Sequence, residues 1–108
     1  MADPVRTYLL VPAGGRGEGM GHLVRDVRLA RVLGSGCAFH PGWLDDDALA
    51  FLRDLLGKAP PALRPRIIDP SSEGGGWDFV LVDKRRTTLA ELAALERLGN
   101  VVCLDGGG

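Results

Sequence analysis

The sequence predicts an α/β fold: a single Rossmann-like domain with an open, mainly parallel sheet flanked by helices. Two observations carry the prediction. Short apolar runs of strand length alternate with stretches of helical period along the chain. The first run, Tyr8–Val11, leads through a glycine-rich turn into a helix, which is the opening half of a βαβ unit. At 108 residues and 11.5 kDa the chain makes one domain with a real core.

The elements follow in order. Glycines 14, 15, 17, 19 and 21 separate the first strand from a helix over His22–Leu33. Leu23, Val27, Ala30 and Leu33 form the apolar stripe of that helix, with Arg25, Arg28 and Arg31 mostly elsewhere. Gly34 and Gly36 end it, and Cys37–Phe39 is a short second strand stopped by Pro41 and Gly42. Asp45, Asp46 and Asp47 supply a cap and an acidic first turn for a helix whose Leu49, Leu52, Leu55 and Leu56 run to Gly57.

A proline-rich connector over 58–63 precedes a third strand, Arg66–Asp69. The stretch from Asp69 to Asp78 is too short for a helical crossover, which needs about a dozen residues. Arg66–Asp69 is therefore either an antiparallel edge strand or the start of a connection crossing the sheet nearly extended. Phe79–Val82 is the next strand. Thr87 or Thr88 can cap the next helix, with Glu91 placed to complete a capping box with Thr88, and that helix turns Leu92, Ala93 and Leu98 inward. Val101–Leu104 is the last strand, before Asp105 and three glycines. A parallel sheet would turn there into its next helix, so the chain is expected to be the amino-terminal half of a longer protein.

Composition narrows the function. A net charge of −1 with no basic stripe gives no reason to expect nucleic acid. No apolar run approaches a membrane span and no signal peptide precedes the first strand, so a soluble, cytoplasmic protein is expected. Cys37 and Cys103 read as buried free thiols in strands rather than a disulfide framework. No metal site and no cofactor are expected.

The glycine turn brings backbone N–H groups near the first turn of a helix, whose unpaired N–H groups favour an anion. No Gly-Lys-Ser/Thr closes the loop, which argues against a P-loop. A G-x-G-x-x-G reading fails at Met20, His22 and Val24 in turn, which argues against a dinucleotide site.

In a parallel sheet the carboxyl ends of the strands line the crevice. The glycine loop (Gly15, Gly17, Gly19, Gly21), His40, Asp69, Asp83 and Asp105 all fall there, and Lys84–Arg86 follows Asp83. His22 opens the first helix with Arg25 and Asp26 three and four residues on, on a shared face. A histidine titrates near neutrality and suits a general base. An arginine in that turn opposes the helix dipole, so it either meets an anion or pairs with Asp26. The plainer alternatives are a locally packed His22, a turn role for His40, and strand-end aspartates accepting turn hydrogen bonds. Trp43 and Trp77 read as cover over the sheet edge.

Gly19-Met20-Gly21-His22-Leu23-Val24-Arg25, continuing through Leu29-Ala30-Arg31-Val32-Leu33, resembles the G-x-G-H-x-x-R…L-A-x-x-L signature of nucleotide-sugar enzymes with the two-domain GT-B fold. The resemblance is to the UDP-sugar hydrolase of pseudaminic acid biosynthesis and to spore-coat polysaccharide biosynthesis proteins. Trp77–Asp83 and Val101–Asp105 are similar to that family's later strands. The resemblance implies the amino-terminal half of a glycosyltransferase or nucleotide-sugar hydrolase, with His22 as the base and Arg25 and Asp83 beside it. It also implies a nucleotide-sugar or other anionic partner, and a carboxy-terminal domain that holds the diphosphate, without which the chain alone is inactive. The alternative is a non-catalytic α/β domain that binds an anion or a protein through the same crevice.

Overall fold

The alternation of side chains in one strand decides the layering. In β1 (Tyr8–Pro12), Tyr8 and Leu10 turn to one hydrophobic cluster while Leu9 and Val11 turn to another. A strand apolar on both sides needs cover on both faces. The computed structural model describes residues 6–13, 21–34, 36–60, 64–72, 74–83 and 87–104. After β1 come α1 (Gly21–Leu33), β2 (Cys37–Phe39), α2 (Asp46–Gly57), β3 (Arg66–Ile67), β4 (Trp77–Asp83), α3 (Leu89–Glu96) and β5 (Gly99–Cys103). Among the described residues the strands form one five-stranded sheet in the order β3-β2-β1-β4-β5, every pairing parallel.

On one face, Leu23, Val27 and Ala30 of α1 and Ala48, Leu52 and Leu56 of α2 pack over Leu10, Phe39 and Leu81. The predicted stripe of α1 is thus the buried one, and Arg25, Arg28 and Arg31 are exposed. Asp45 caps α2, its carboxylate accepting from Ala48 N at 2.8 Å. Arg64 donates to the carbonyls of Leu56, Gly57 and Ala59 at the other end, where the last turn carries no basic residue of its own.

On the opposite face α3 packs beside β5. Its capping box forms as the sequence predicts: Glu91 N donates to Thr88 Oγ1 at 3.1 Å and Thr88 N to Glu91 Oε1 at 2.8 Å. The inward residues differ from expectation. Leu95 is the buried residue of α3, Leu98 packs at the margin and Ala93 is exposed. An eight-residue helix has little more than two turns, and only one lies against the sheet.

Of the two alternatives for the third strand, the structure takes the crossing connection, with a strand shorter than the predicted Arg66–Asp69. Only Arg66 and Ile67 pair, and they run parallel to β2 (Ala38 with Arg66, Phe39 with Ile67), not antiparallel. The chain then passes to the far side of β1 with no helix among the described residues of 68–76. Nine extended residues reach about 30 Å, ample for three strand spacings of about 4.8 Å each. Ile68, 3% exposed, is buried in the second cluster with Leu9, Val11, Ala38, Val80, Val82 and Leu95. Trp43 and Trp77 pack against that cluster. Ile68 and two indoles therefore help cover the face that a crossover helix would otherwise cover.

β5 also starts earlier than the sequence suggests, at Gly99, and ends before Leu104. A Cβ on Gly99 would overlap the Trp77 carbonyl oxygen, so only glycine lets the strands meet there. Cys37 is buried as expected, but Cys103 is exposed. It lies on the outermost strand, where neither Val102 nor Cys103 is covered by a described element.

Candidate functional site

Because every pairing is parallel, the carboxyl ends of all the strands lie along one edge. Chain order runs outward from β1 through β2 to β3, then restarts at β4 on the other side of β1. That reversal between β1 and β4 is where an open α/β sheet offers a crevice. The two strand ends are in register there, Pro12 beside Asp83, and Ala13 N donates to the Asp83 carbonyl at 3.2 Å.

Among the described residues, three ionisable side chains meet at the reversal. Asp83, the last residue of β4, is fully buried. Its Oδ1 accepts a hydrogen bond from Arg25 Nη2 in an ion pair that spans 58 positions of sequence. The Arg25 side chain is 57% exposed, so the pair links a buried carboxylate to a cation at the surface. Asp26, the next residue of α1, is also fully buried, and among the described residues neither of its oxygens has a hydrogen-bond partner of good geometry. Burial first, then interaction with the neighbouring Asp83 carboxyl, pushes the Asp26 carboxyl up to about 9, against a smaller opposing pull from Arg25. Asp26 is therefore neutral at pH 7. Two carboxyls that cannot both ionise in a dry site share a proton. A shallow cavity of about 250 Å³ opens beside them, lined by Arg25, Asp26, Leu29 and Leu104.

The structure thus brings two of the sequence candidates, Arg25 and Asp83, into direct contact. His22 lies in the first turn of α1, one turn before Asp26, and its side chain is outside the described residues. Gly21 opens the same helix, and a Cβ there would meet nothing within 4 Å. Gly15, Gly17, Gly19 and Asp105 lie outside the described residues, as do Lys84–Arg86. His40 follows the carboxyl end of β2, with its N–H on the Leu10 carbonyl at 2.8 Å. Its Nδ1 accepts from Gly42 N at 3.0 Å, a contact that fits the tautomer with its proton on Nε2, and burial lowers its pKa. Asp69 is a turn residue: its Oδ1 accepts from Ser71 N and Oγ, and those bonds hold its carboxyl below the usual range.

Asp26 is the residue that sequence reasoning undervalued. The signal was present: positions 23, 26, 27, 30 and 33 share one helical stripe, and an aspartate stands among its apolar residues. Its place beside Arg25 suggests an ion-pair partner instead. The structure gives Arg25 to Asp83 and buries Asp26 behind it.

A larger cavity, about 310 Å³, opens at the opposite, amino edge between Thr7, Gly36, Cys37, Arg64, Arg66 and Trp77. Its polar groups have structural work. Arg64 caps α2, Arg66 stacks over Trp77 at 5.5 Å, and Thr7 and Asp78 exchange hydrogen bonds at 2.8 and 3.0 Å. The buried carboxyls, not the larger volume, mark the candidate site. Among the described residues no group of three or more histidine, cysteine or acidic side chains could hold a metal ion. No family model matches the chain, and no curated protein or solved structure matches it significantly.

Proposed function

We propose that the carboxyl edge between β1 and β4 is one wall of the active cleft of a nucleotide-sugar transferase or hydrolase. The observation that supports it is the Arg25–Asp83 pair at the reversal of strand order. Two residues singled out for the G-x-G-H-x-x-R pattern and the later aspartate strand converge where an α/β sheet takes its ligand. In this reading His22, at the head of α1, takes a proton from water or an acceptor hydroxyl attacking the anomeric carbon. The helix amino terminus faces the negative charge of the substrate. Arg25 positions that charge, and Asp83 holds Arg25 in place. A carboxy-terminal domain contributes the diphosphate site.

The test is UDP release from UDP-sugars by the full-length natural protein, its His22→Ala variant and the 108-residue chain alone. The variant is expected to lose about 10²–10⁴-fold in turnover, the scale of a lost general base, while its circular dichroism stays that of the parent. The isolated chain is expected to turn over nothing. A folded His22→Ala protein as active as the parent removes His22 from the mechanism. Anion binding at this edge with no turnover by any form would assign it instead to a non-catalytic binding domain.

A further inference from the structure

The two edges of the sheet are built differently. The β3 edge is two residues long, carries Arg66 and follows Pro65. Short length, charge and proline all keep a sheet edge from pairing further. β5, Gly99–Cys103, has five residues, no charge and no proline. Leu104 N donates to the Val82 carbonyl and the Leu98 carbonyl accepts from Trp77 N, so the even-numbered residues here turn toward β4. Strand alternation then directs the N–H and C=O groups of Gly99, Val101 and Cys103 outward. Among the described residues no strand lies beyond them. The helix over this edge is also bare. Six of the eight residues of α3 are leucine or alanine, yet only Leu95 is buried. Leu89 is 85% exposed, and Ala90, Ala93 and Ala94 are exposed with it. A helix apolar on every side belongs between covering surfaces.

We propose that this edge is an interface between two copies of the chain, with β5 paired antiparallel to its own copy about a two-fold axis at Val101. The pairing sets Val101 opposite Val101 and Gly99 opposite Cys103, so that each outward N–H meets a carbonyl of the other copy. A two-fold contact brings groups close to their own copies, so a charged strand would repel itself, and β5 carries no charge. The axis stands perpendicular to the sheet and leaves both copies of α3 on one face. Leu95 of α3 packs with Val80 and Val82 of β4 and with Val101 of β5, which seats the helix over those two strands. With strands about 4.8 Å apart, the two copies of α3 then lie about 10 Å apart, a distance at which helices pack. The operation that pairs the edges therefore also covers the exposed leucine and alanine of α3. A foreign strand would satisfy the edge and leave that helix bare. The contact runs about 17 Å along the strand and about 20 Å through the sheet and helix layers, small for an obligate dimer, so association is reversible.

Sedimentation equilibrium of the chain from about 1 μM to about 1 mM, the range of weak reversible contacts, is expected to show monomer and dimer. Hydrogen exchange at the Val101 and Cys103 amides should slow as the dimer forms. Cys103→Pro removes one outward N–H and leaves the ladder to β4 intact. It should keep the circular dichroism of the parent and weaken association at least about tenfold, the scale of a lost interfacial hydrogen bond. Val101→Cys with Cys103→Ser should form a disulfide-linked dimer on oxidation, because facing residues of such a pair lie about 5.5 Å apart. The parent should not, since each Cys103 lies four residue steps, about 14 Å, from its copy. A monomer throughout the concentration range overturns the interface, and protected Val101 and Cys103 amides in that monomer assign the edge to a segment of the same chain. A folded Cys103→Pro protein that associates like the parent overturns the strand pairing. A Cys103 disulfide between parent chains overturns its register.

Discussion

Arg25 on α1 and Asp83 at the end of β4 are joined by an ion pair that ties the first helix to the far half of the sheet. Its two ends differ in burial, and that decides what each substitution does. Arg25→Ala takes this ion pair from a buried carboxylate and should cost about 1–3 kcal/mol, below the 3–5 of a fully buried pair because Arg25 is largely solvated. Arg25→Ala with Asp83→Asn should recover part of that loss. Urea denaturation of the singles and the double measures it, and strictly additive losses would show that the two do not interact.

The Asp26 carboxyl sets a pH dependence with a definite sign. Its folded pKa, about 9, lies above the unfolded value of 3.8, so the folded state keeps a proton that the unfolded chain releases. The stability from that proton is fully present below the unfolded value and is lost as pH rises from about 4 through about 9. The slope from one proton is at most about 1.4 kcal/mol per pH unit. Asp26→Asn keeps the shape without the proton. It should unfold at higher urea than the parent at pH 8, with the advantage shrinking toward pH 4. A variant whose advantage is constant across that range would place the pH dependence elsewhere.

Ile68 should behave as a core residue although it belongs to no strand or helix. Ile68→Ala is expected to cost about 2–4 kcal/mol, as for an aliphatic side chain removed from a packed interior. The exposed neighbour Pro70→Ala should change stability by less than about 0.5 kcal/mol. Equal effects at the two positions would mean that Ile68 does not pack against the sheet.

Glycine at position 99 is required by contact rather than by backbone angle. Gly99→Ala drives a methyl group into the Trp77 carbonyl, where β4 and β5 also shift register. The expected loss is about 3 kcal/mol or more, at the upper end of single substitutions. Thr88→Ala, which removes half of the capping box, should cost only about 1 kcal/mol. Thermal unfolding of the two variants gives the order, and the reverse order would contradict the strand packing.

The sequence reveals elements better than it reveals their neighbours. The stripe of α1, the Asp45 cap and the Thr88–Glu91 box were legible because each is a local pattern within a turn or two. The parallel sense of β3 was not, since two residues carry no direction and the short link to β4 left an antiparallel edge and an extended crossing equally open. What settled it was the tertiary burial of Ile68 and two indoles, which no local pattern encodes. At the site, Arg25 and Asp83 were each visible as candidates, but their pairing was not, because it depends on which strand follows β1 in space.

That spatial order bears on how the protein is made. The central strand finds β2 about 29 positions later in the chain (Tyr8 with Cys37) but meets β4 only across 71 (Tyr8 with Phe79). While the ribosome is still upstream of Trp77, a nascent chain has β1 with one edge open and apolar side chains on both faces. An unpaired apolar edge recruits other strands, including those of neighbouring nascent chains. Synthesis slowed before codon 77 should therefore raise the aggregated fraction, whereas a pause after β4 has been completed should not.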